Sequence, residues 1–348
     1  MTLSDDKKTA AVGPGNNCGQ VYWALELHGL ATLGGRASDI GTGGLTTGGG
    51  ISYYSSQYRW VLDNVVSFEV VTASGIIVTA SAISHPDLYW ALRGGGNNVG
   101  LVTKFNFYTI PSPKMRGGSR IWTQQHFHPV IEAFVDVIHD APNDPYAQYY
   151  IAFVANQGVN LASAELTYTK DVADPPIFRE WNSIPAVMDT VASKTLVQQC
   201  DDIEAVNTTG LREVYWPISA HLNADFAKWA VDHFFKVLPQ TSGVKGANPA
   251  LIYQPLTQPI LANMTKYGGN TLGLSTEDGP VHLLHIACWW DNADDDDTIY
   301  QFINDYWTTV IGKAKEMGIF NEWIYMNYAS KFQDVIAGYG DANKHRLQ

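Results

Sequence analysis

Five glycines fall within eight residues in "GGLTTGGG", Gly43 to Gly50. Glycine is selected where the backbone takes positive φ or where a ligand approaches with no Cβ in the way, and it weakens any regular element that contains it. A short stretch behind the cluster, from Asp63, comes "DNVVSFEVVTASGIIVTAS", two β-branched runs joined at "ASG", which is a hairpin signal. A glycine run of this density ahead of paired strands reads as one wall of a cradle for a large cofactor.

The neighbouring segments read as alternating short helices and strands. "CGQVYWALELHG" carries Val21, Leu25 and Leu27 on a rough helical period and ends at Gly29. "SHPDLYWALRGGG" predicts a short helix with Ser84 as N-cap, Pro86 in the first turn and Gly94 at its end. In "LVTKFNFYTI" the alternation turns Leu101, Thr103, Phe105 and Phe107 to one face of a half-buried strand. The two prolines of "IPSPK" mark a domain boundary near residue 111.

Beyond that boundary the pattern changes. Strand-like runs occur at "QYYIAFVAN", "ASAELTYTK", "LREVYWPIS", "ALIYQPL" and "VHLLHIACWW". Two long amphipathic helices sit among them. One stripe is Phe226, Trp229, Ala230, His233 and Phe234; the other is Ile299, Phe302, Ile303, Tyr306, Trp307, Val310 and Ile311. Such stripes pack helices on one side of a mainly antiparallel sheet, so the fold class is α+β.

Composition narrows the function. The net charge of −12 argues against a nucleic-acid partner, which calls for a basic face. Aromatic residues make up 12% of the chain, enough for an aromatic core or for a pocket that takes a flat or apolar small molecule. Cys18, Cys200 and Cys288 form neither a paired framework nor a metal-ligand spacing. The run Asp294–Asp297 suits a helix start, where acids meet the helix dipole, better than a metal site. Sequons at Asn207 and Asn263 read as chance matches, because "MTLSDDKKTAAVG" is no signal peptide. No apolar run is long enough for a membrane span, so the expectation is a cytoplasmic protein.

Taken in order, "AAVGPGNNCGQVYWAL", "HGLATLGGRASDIGTGGLTTGGGIS", "DNVVSFEVVTASG", "HPDLYWALRGGGNNVGLVTKF" and "YMNYAS" resemble the FAD-linked oxidases of the vanillyl-alcohol-oxidase and berberine-bridge group, above all fungal members of secondary metabolism. The resemblance implies a PCMH-type FAD-binding domain over 1–111, a substrate domain of antiparallel sheet and helices over 112–320, and a return segment over 321–348. It implies FAD contacts at Gly41, Gly43, Gly44, Gly48, Gly49, Gly50, Gly96, Asn97, Gly100, Val102 and Asn327, with Val102 toward the adenine. Tyr328 is implied at the isoalloxazine. The sheet carrying "VHLLHIACWW" is implied as the floor over the flavin ring. Alternation sets His282 and His285 on opposite faces there, so whichever faces inward is a candidate proton acceptor. By the same logic Tyr253 is a catalytic candidate, and Glu213 and Tyr215 are lesser ones.

Two departures bear on the cofactor. Members of the group carry an earlier α/β segment with a pyrophosphate-binding loop and a histidine for covalent attachment, and no such loop occurs in this sequence. The second covalent anchor, a cysteine, corresponds to Ala37, so FAD is expected to be non-covalent. The usual acid after the terminal motif is replaced by Ser330. Phosphate contacts are worth roughly 1.5–3 kcal/mol each, so losing two or three weakens FAD by several orders of magnitude. Three readings follow. The first is a flavin oxidoreductase acting on a small apolar or aromatic metabolite with O₂ as reoxidant. The second is a flavin-independent cyclase using the vacated cleft. The third is a non-catalytic chain whose missing subdomain is covered by self-association or a partner.

Overall fold

The computed structural model describes residues 1–348 except Thr208 and Asn263, so the sequon at Asn263 lies outside the described residues. Two antiparallel sheets organise the chain. The smaller has five strands in the order Thr2–Leu3, Thr9–Val12, Leu101–Tyr108, Val65–Val71, Ile77–Ser81. The larger has nine. Its main path runs Met188–Asp189, Met115–Thr123, Val159–Tyr168, Ala147–Asn156, Ala250–Leu256, Val281–Trp290, Arg212–His221, Phe320–Asn321, and Ala192–Lys194 also pairs with Met115–Thr123.

Alternation along the larger sheet separates two chemistries. On one face, Phe153, Ala164, Tyr253, Leu284 and Ile286 pack beneath the helices Phe127–Asp140, Ala224–Val237 and Asp296–Glu316. Residues between them in sequence look the other way, and the register sets Ser119 beside Glu165 and Glu165 beside Tyr150. Ile252 and Pro217 likewise flank His285. The apolar face supplies the bulk of the hydrophobic driving force, roughly 25 cal/mol per Å² buried. The opposite face is free to be polar.

Three local expectations are corrected. The helix over "PDLYWAL" starts at Pro86 with His85, not Ser84, at its N-cap, and His85 is left-handed at φ 49°. Proline disfavours helical backbone in the residue before it, so the helix does not extend back past Pro86 to make Ser84 its cap. On Leu101–Tyr108 the buried residues are Val102, Phe105 and Phe107, whereas Leu101 is exposed. The register shifts between Glu69 and Val70 on the paired strand, and such an irregularity flips the phase of the alternation. On Ala224–Val237 the buried stripe runs through Phe226, Ala227, Ala230, Val231 and Phe234, leaving Trp229 and His233 half-buried and stacked 5.4 Å apart. Asp294 and Asp295 occupy a 3-10 turn ahead of helix Asp296–Glu316, and Asp296 pairs with Arg212 and accepts from Trp290 Nε1 at 2.9 Å.

Among the described residues no helix is long and apolar enough to cross a membrane. A cavity of about 300 Å³ lies at the sheet edge among Arg116, Arg120, Tyr168 and Phe178. Its strand residues belong to the helix-facing side, so it is separate from the polar face.

Tyr253 tests the division of faces. Its hydroxyl donates to the Ala227 carbonyl at 2.7 Å inside the packed layer. Tyr253→Phe is expected to lose about 1 kcal/mol of stability in urea unfolding and to leave the flavin content of the purified protein unchanged.

Candidate active site

The glycine segment folds as a short helix, Thr42–Thr47, that runs into Gly48, Gly49 and Gly50. Gly50 sits at φ +86°, and a Cβ there would run into Val61. The turn is fastened from the far end of the sequence. The Tyr325 hydroxyl accepts from Gly50 N–H and from Asn327 Nδ2, both at 3.0 Å, and Asn327 Nδ2 also donates to the Leu45 carbonyl at 3.0 Å. The Thr47 carbonyl in turn accepts the Gly94 and Gly96 N–H groups at 3.0 Å each. The three glycine and asparagine motifs thus meet at one place.

Arg36 enters the same region from "LGGRASDIG". Its loop is pinned at Gly35, whose carbonyl accepts from the Tyr22 hydroxyl at 2.8 Å and whose N–H donates to Cys18 Sγ at 3.1 Å. From there the guanidinium reaches over the polar face of the larger sheet. Nη2 donates to Gln254 Oε1 at 2.5 Å and to the Tyr328 hydroxyl at 3.2 Å, and the guanidinium carbon lies 4.7 Å from the centre of the Tyr150 ring. Tyr328 donates to Gln254 Oε1 at 3.4 Å, which closes a three-membered network. Behind it, the His285 ring lies 4.6 Å from that of Tyr328, and Tyr215 stacks on both at 5.6–5.8 Å.

Of the expected catalytic residues, Tyr328 and His285 are brought together, with Tyr215 beside them. His282 and Tyr253 are not. They contact each other at 4.5 Å in the helix-covered core, on the face turned away from Tyr328. His282 stands three positions from His285 on one strand, an odd offset that turns it to the opposite face with Tyr253, and this corrects the expectation that either faces the site. Glu213 is exposed at the strand's outer end. Asn327 acts on the glycine turn itself, and Gly48 lies so close that a Cβ would land on the Asn327 amide. Gly41 and Gly44 have nothing within 4 Å of where a Cβ would stand, and Gly43 faces Pro14 at 3.4 Å. Gly49 packs beneath Tyr325 and Trp60, Gly96 against Met326, and Gly100 at φ +152° against Val70. Asn97 is exposed, and Val102 is buried within the core of the smaller sheet.

Four contributors escaped the sequence reading: Arg36, Tyr150, Gln254 and Glu165. Each stands one residue from something the pattern did flag, Arg36 next to Ala37 and Gln254 next to Tyr253. For Tyr150, Glu165 and Gln254 strand alternation gives the signal, since the residue after a core position faces the opposite side, whereas Arg36 lies in a loop that has no such period.

Burial sets the charges. Glu165, nearly sealed beneath Gln199 and accepting from Ser119 Oγ at 2.7 Å, has its carboxyl pushed up to about 7 by loss of water. The same desolvation, with the Arg36 charge second, pushes His285 down to about 3, so its imidazole is neutral at physiological pH. Arg36 keeps its proton because the oxygens of Tyr328, Tyr150 and Tyr53 outweigh its own desolvation.

Comparison with known proteins fits this arrangement. Residues 1–81 match the FAD binding domain family. FAD-dependent monooxygenase tpcD of Cochliobolus heterostrophus is 32% identical over 360 residues, covering 99% of this chain and 69% of the relative. The chain belongs to the FAD-linked oxidoreductases of the vanillyl-alcohol-oxidase and berberine-bridge family. FAD-dependent monooxygenase FUP4 of Fusarium proliferatum is 32% identical over 353 residues, covering 97% of the chain and 68% of the relative. The fold is that of 6-hydroxy-D-nicotine oxidase from Arthrobacter nicotinovorans, with a TM-score of 0.81 at 17% identity over 99% of this chain and 75% of that one. It is also that of a berberine-bridge-enzyme-like protein of Physcomitrella patens, with a TM-score of 0.78 at 20% identity over 98% of this chain and 74% of that one.

FAD is the cofactor of this family, and the residues present fit it. The strip at Gly41 and Gly44 is free of Cβ atoms and open. Gln254 Nε2 and His285 Nδ1 are buried without a partner, which is costly unless a ligand supplies one.

Two measurements probe the site. Gly48→Ala drives a Cβ into Asn327, so a loss of about 1–3 kcal/mol in stability and a lower flavin-to-protein absorbance ratio are expected. For Glu165, a folded value near 7 against an ordinary 4.5 means the folded state holds the proton more tightly. Stability from this group is therefore fully present below pH 4.5 and is lost as pH rises through about 7, by about 3 kcal/mol. Glu165→Gln is expected to flatten that slope in thermal unfolding, raising Tm relative to the parent at pH 8 and hardly at all at pH 4.5.

Proposed function

We propose that this family member oxidises a small apolar or aromatic metabolite, with FAD as electron acceptor and O₂ as reoxidant. The observation that carries the reading is the network of Arg36, Tyr328 and Gln254 on the polar face of the larger sheet, beside the open glycine strip. The names of the two fungal monooxygenase relatives support oxidative chemistry on small molecules. On this reading, residues 1–111 and 321–348 form the flavin-side wall, and 112–320 form the substrate-side wall.

FAD, when bound, supplies a two-electron acceptor for hydride. The chain supplies the rest. Tyr328 accepts from Arg36 and donates to Gln254, which leaves a lone pair on its oxygen for a substrate hydroxyl. That places Tyr328 to relay the proton as the substrate is oxidised, taking up the substrate's proton while its own hydroxyl proton passes to solvent, with the Arg36 charge favouring the anionic tyrosine oxygen formed on the way. Neutral His285, stacked behind Tyr328, fixes the ring and adds no competing positive charge. Tyr150 and Tyr215 give aromatic walls against which a flat substrate can lie.

The visible spectrum of the purified protein, followed by FAD titration, tests the reading. A flavin spectrum that substrate bleaches anaerobically and air restores supports it, whereas a folded protein that takes up no FAD overturns it. In the loaded protein, Tyr328→Phe is expected to slow flavin reduction by about 10²–10⁴-fold in stopped-flow, the range for loss of a positioned proton acceptor.

A further inference from the structure

The helix-facing side of the larger sheet is apolar at its centre and turns polar at one edge. Strand Met115–Thr123 puts Arg116, Gly118 and Arg120 on that side, where the register sets them against Tyr168, Leu166 and Ala164. Gly118 brings no side chain between the two arginines. The turn Pro176–Phe178 and the helix Arg179–Ser183 line the space from the other side, through Phe178 and Asn182. The cavity of about 300 Å³ between them is at the lower end of the roughly 300–1,000 Å³ usual for small-molecule sites.

The two arginines are not equally occupied. Arg120 is fully engaged: Nε donates to Asp189 Oδ2 at 2.8 Å, Nη2 lies 2.7 Å from the same oxygen, and Nη1 donates to Asn182 Oδ1. The acid nearest Arg116, Asp171, stands 3.7 Å from Nη1, beyond hydrogen-bond reach, and its other oxygen accepts from Ser193 Oγ at 2.7 Å. Asp171 is exposed, and so long an ion pair in water is worth little. Arg116 Nε is buried and has no partner among the described residues. A buried guanidinium N–H without an acceptor carries a desolvation cost that a ligand oxygen removes. Nε and Nη2 together form the edge that matches a carboxylate with two parallel hydrogen bonds, and Asp171 approaches from Nη1 instead. Asp174, the acid on the cavity wall, is exposed and takes the Asn182 Nδ2 donor, so water and salt screen it.

We propose that this cavity is a second small-molecule site, taking an aromatic carboxylate with its carboxyl group on the Nε edge of Arg116 and its ring against Leu166 and Phe178. A flat ring suits these walls. Phe178 stacks on Trp181 at 5.9 Å and meets Tyr168 edge-on at 6.5 Å, which fixes the plane it offers. The site is on the helix-covered side of the sheet, away from Tyr328 and Gln254, so it is present with or without flavin. A carboxamide of the same shape brings one acceptor where the arginine edge calls for two, and no charge, so the acid is selected.

4-Fluorobenzoate, titrated by fluorine NMR, tests the site, with 4-fluorobenzamide as the neutral control. Saturable binding of the acid is expected, equally in flavin-loaded and flavin-free protein, with the amide about tenfold weaker or more. Arg116→Gln is expected to weaken the acid roughly 10- to 100-fold, the range for a charge-assisted hydrogen bond. Val191→Phe fills the cavity from its lining and is expected to abolish binding, whereas Tyr328→Phe, on the other face, leaves it unchanged. Thermal unfolding identifies any variant that fails to fold, and Val191→Phe carries the comparison if Arg116→Gln does. No binding of the acid, or equal affinity for acid and amide, overturns the inference. So does acid binding that Tyr328→Phe weakens while Arg116→Gln and Val191→Phe leave it intact, which would put the acid in the flavin-side site.

Discussion

The hydroxyl of Tyr325 is the fastening on which the site depends. It accepts from Gly50 N–H and from Asn327 Nδ2, while Asn327 reaches on to the Leu45 carbonyl. A six-residue helix with two glycines inside it has little stability of its own, since nucleation is unfavourable and glycine costs about 1 kcal/mol relative to alanine. Hydrogen bonds from the far end of the chain, with Trp60 and Trp323 packed behind Tyr325, hold it in place. The same turn carries Tyr328 two residues beyond the chain's return past Met326, so the fastening that shapes the glycine wall also aims the tyrosine.

The larger sheet contributes through strict alternation. One face is spent on the core beneath three helices, which leaves the other able to hold Glu165, Tyr150, Gln254 and His285 without disturbing the packing. Segment Ile51–Tyr58 then closes over this face through polar contacts. Gln148 Nε2 donates to the Ser52 carbonyl at 3.3 Å, and Gln57 Nε2 donates to Thr169 Oγ1 at 2.5 Å. Enclosure of this kind lowers the local dielectric and strengthens every charge within it, which is why Glu165 and His285 both move toward their neutral forms.

Much of the architecture was legible because it rests on short-range rules. The "ASG" hairpin, the strands over "ALIYQPL" and "VHLLHIACWW", and the helix stripe through Ile299, Phe302, Ile303 and Tyr306 all appear where periodicity puts them. The errors were local conflicts with chain geometry: a proline that moved a helix cap from Ser84 to His85, and an irregular pairing at Val70 that reversed Leu101 and Val102. In the site, alternation correctly set His282 and His285 apart but could not say which of them faced the helices.

Sequence by itself determined the family, the order of the elements and the two-faced character of the large sheet, because glycine placement and apolar period are written residue by residue. Tertiary structure alone decided which face became the site. Three helices, distant in sequence, cover the side bearing Tyr253 and His282, and so Gln254 and His285 are left to meet Tyr328. It also decided that Arg36 would meet Gln254 and Tyr328 there, since the partners of a charge separated by over two hundred residues, as Arg36 is from Gln254, depend on how the chain closes and not on any local pattern.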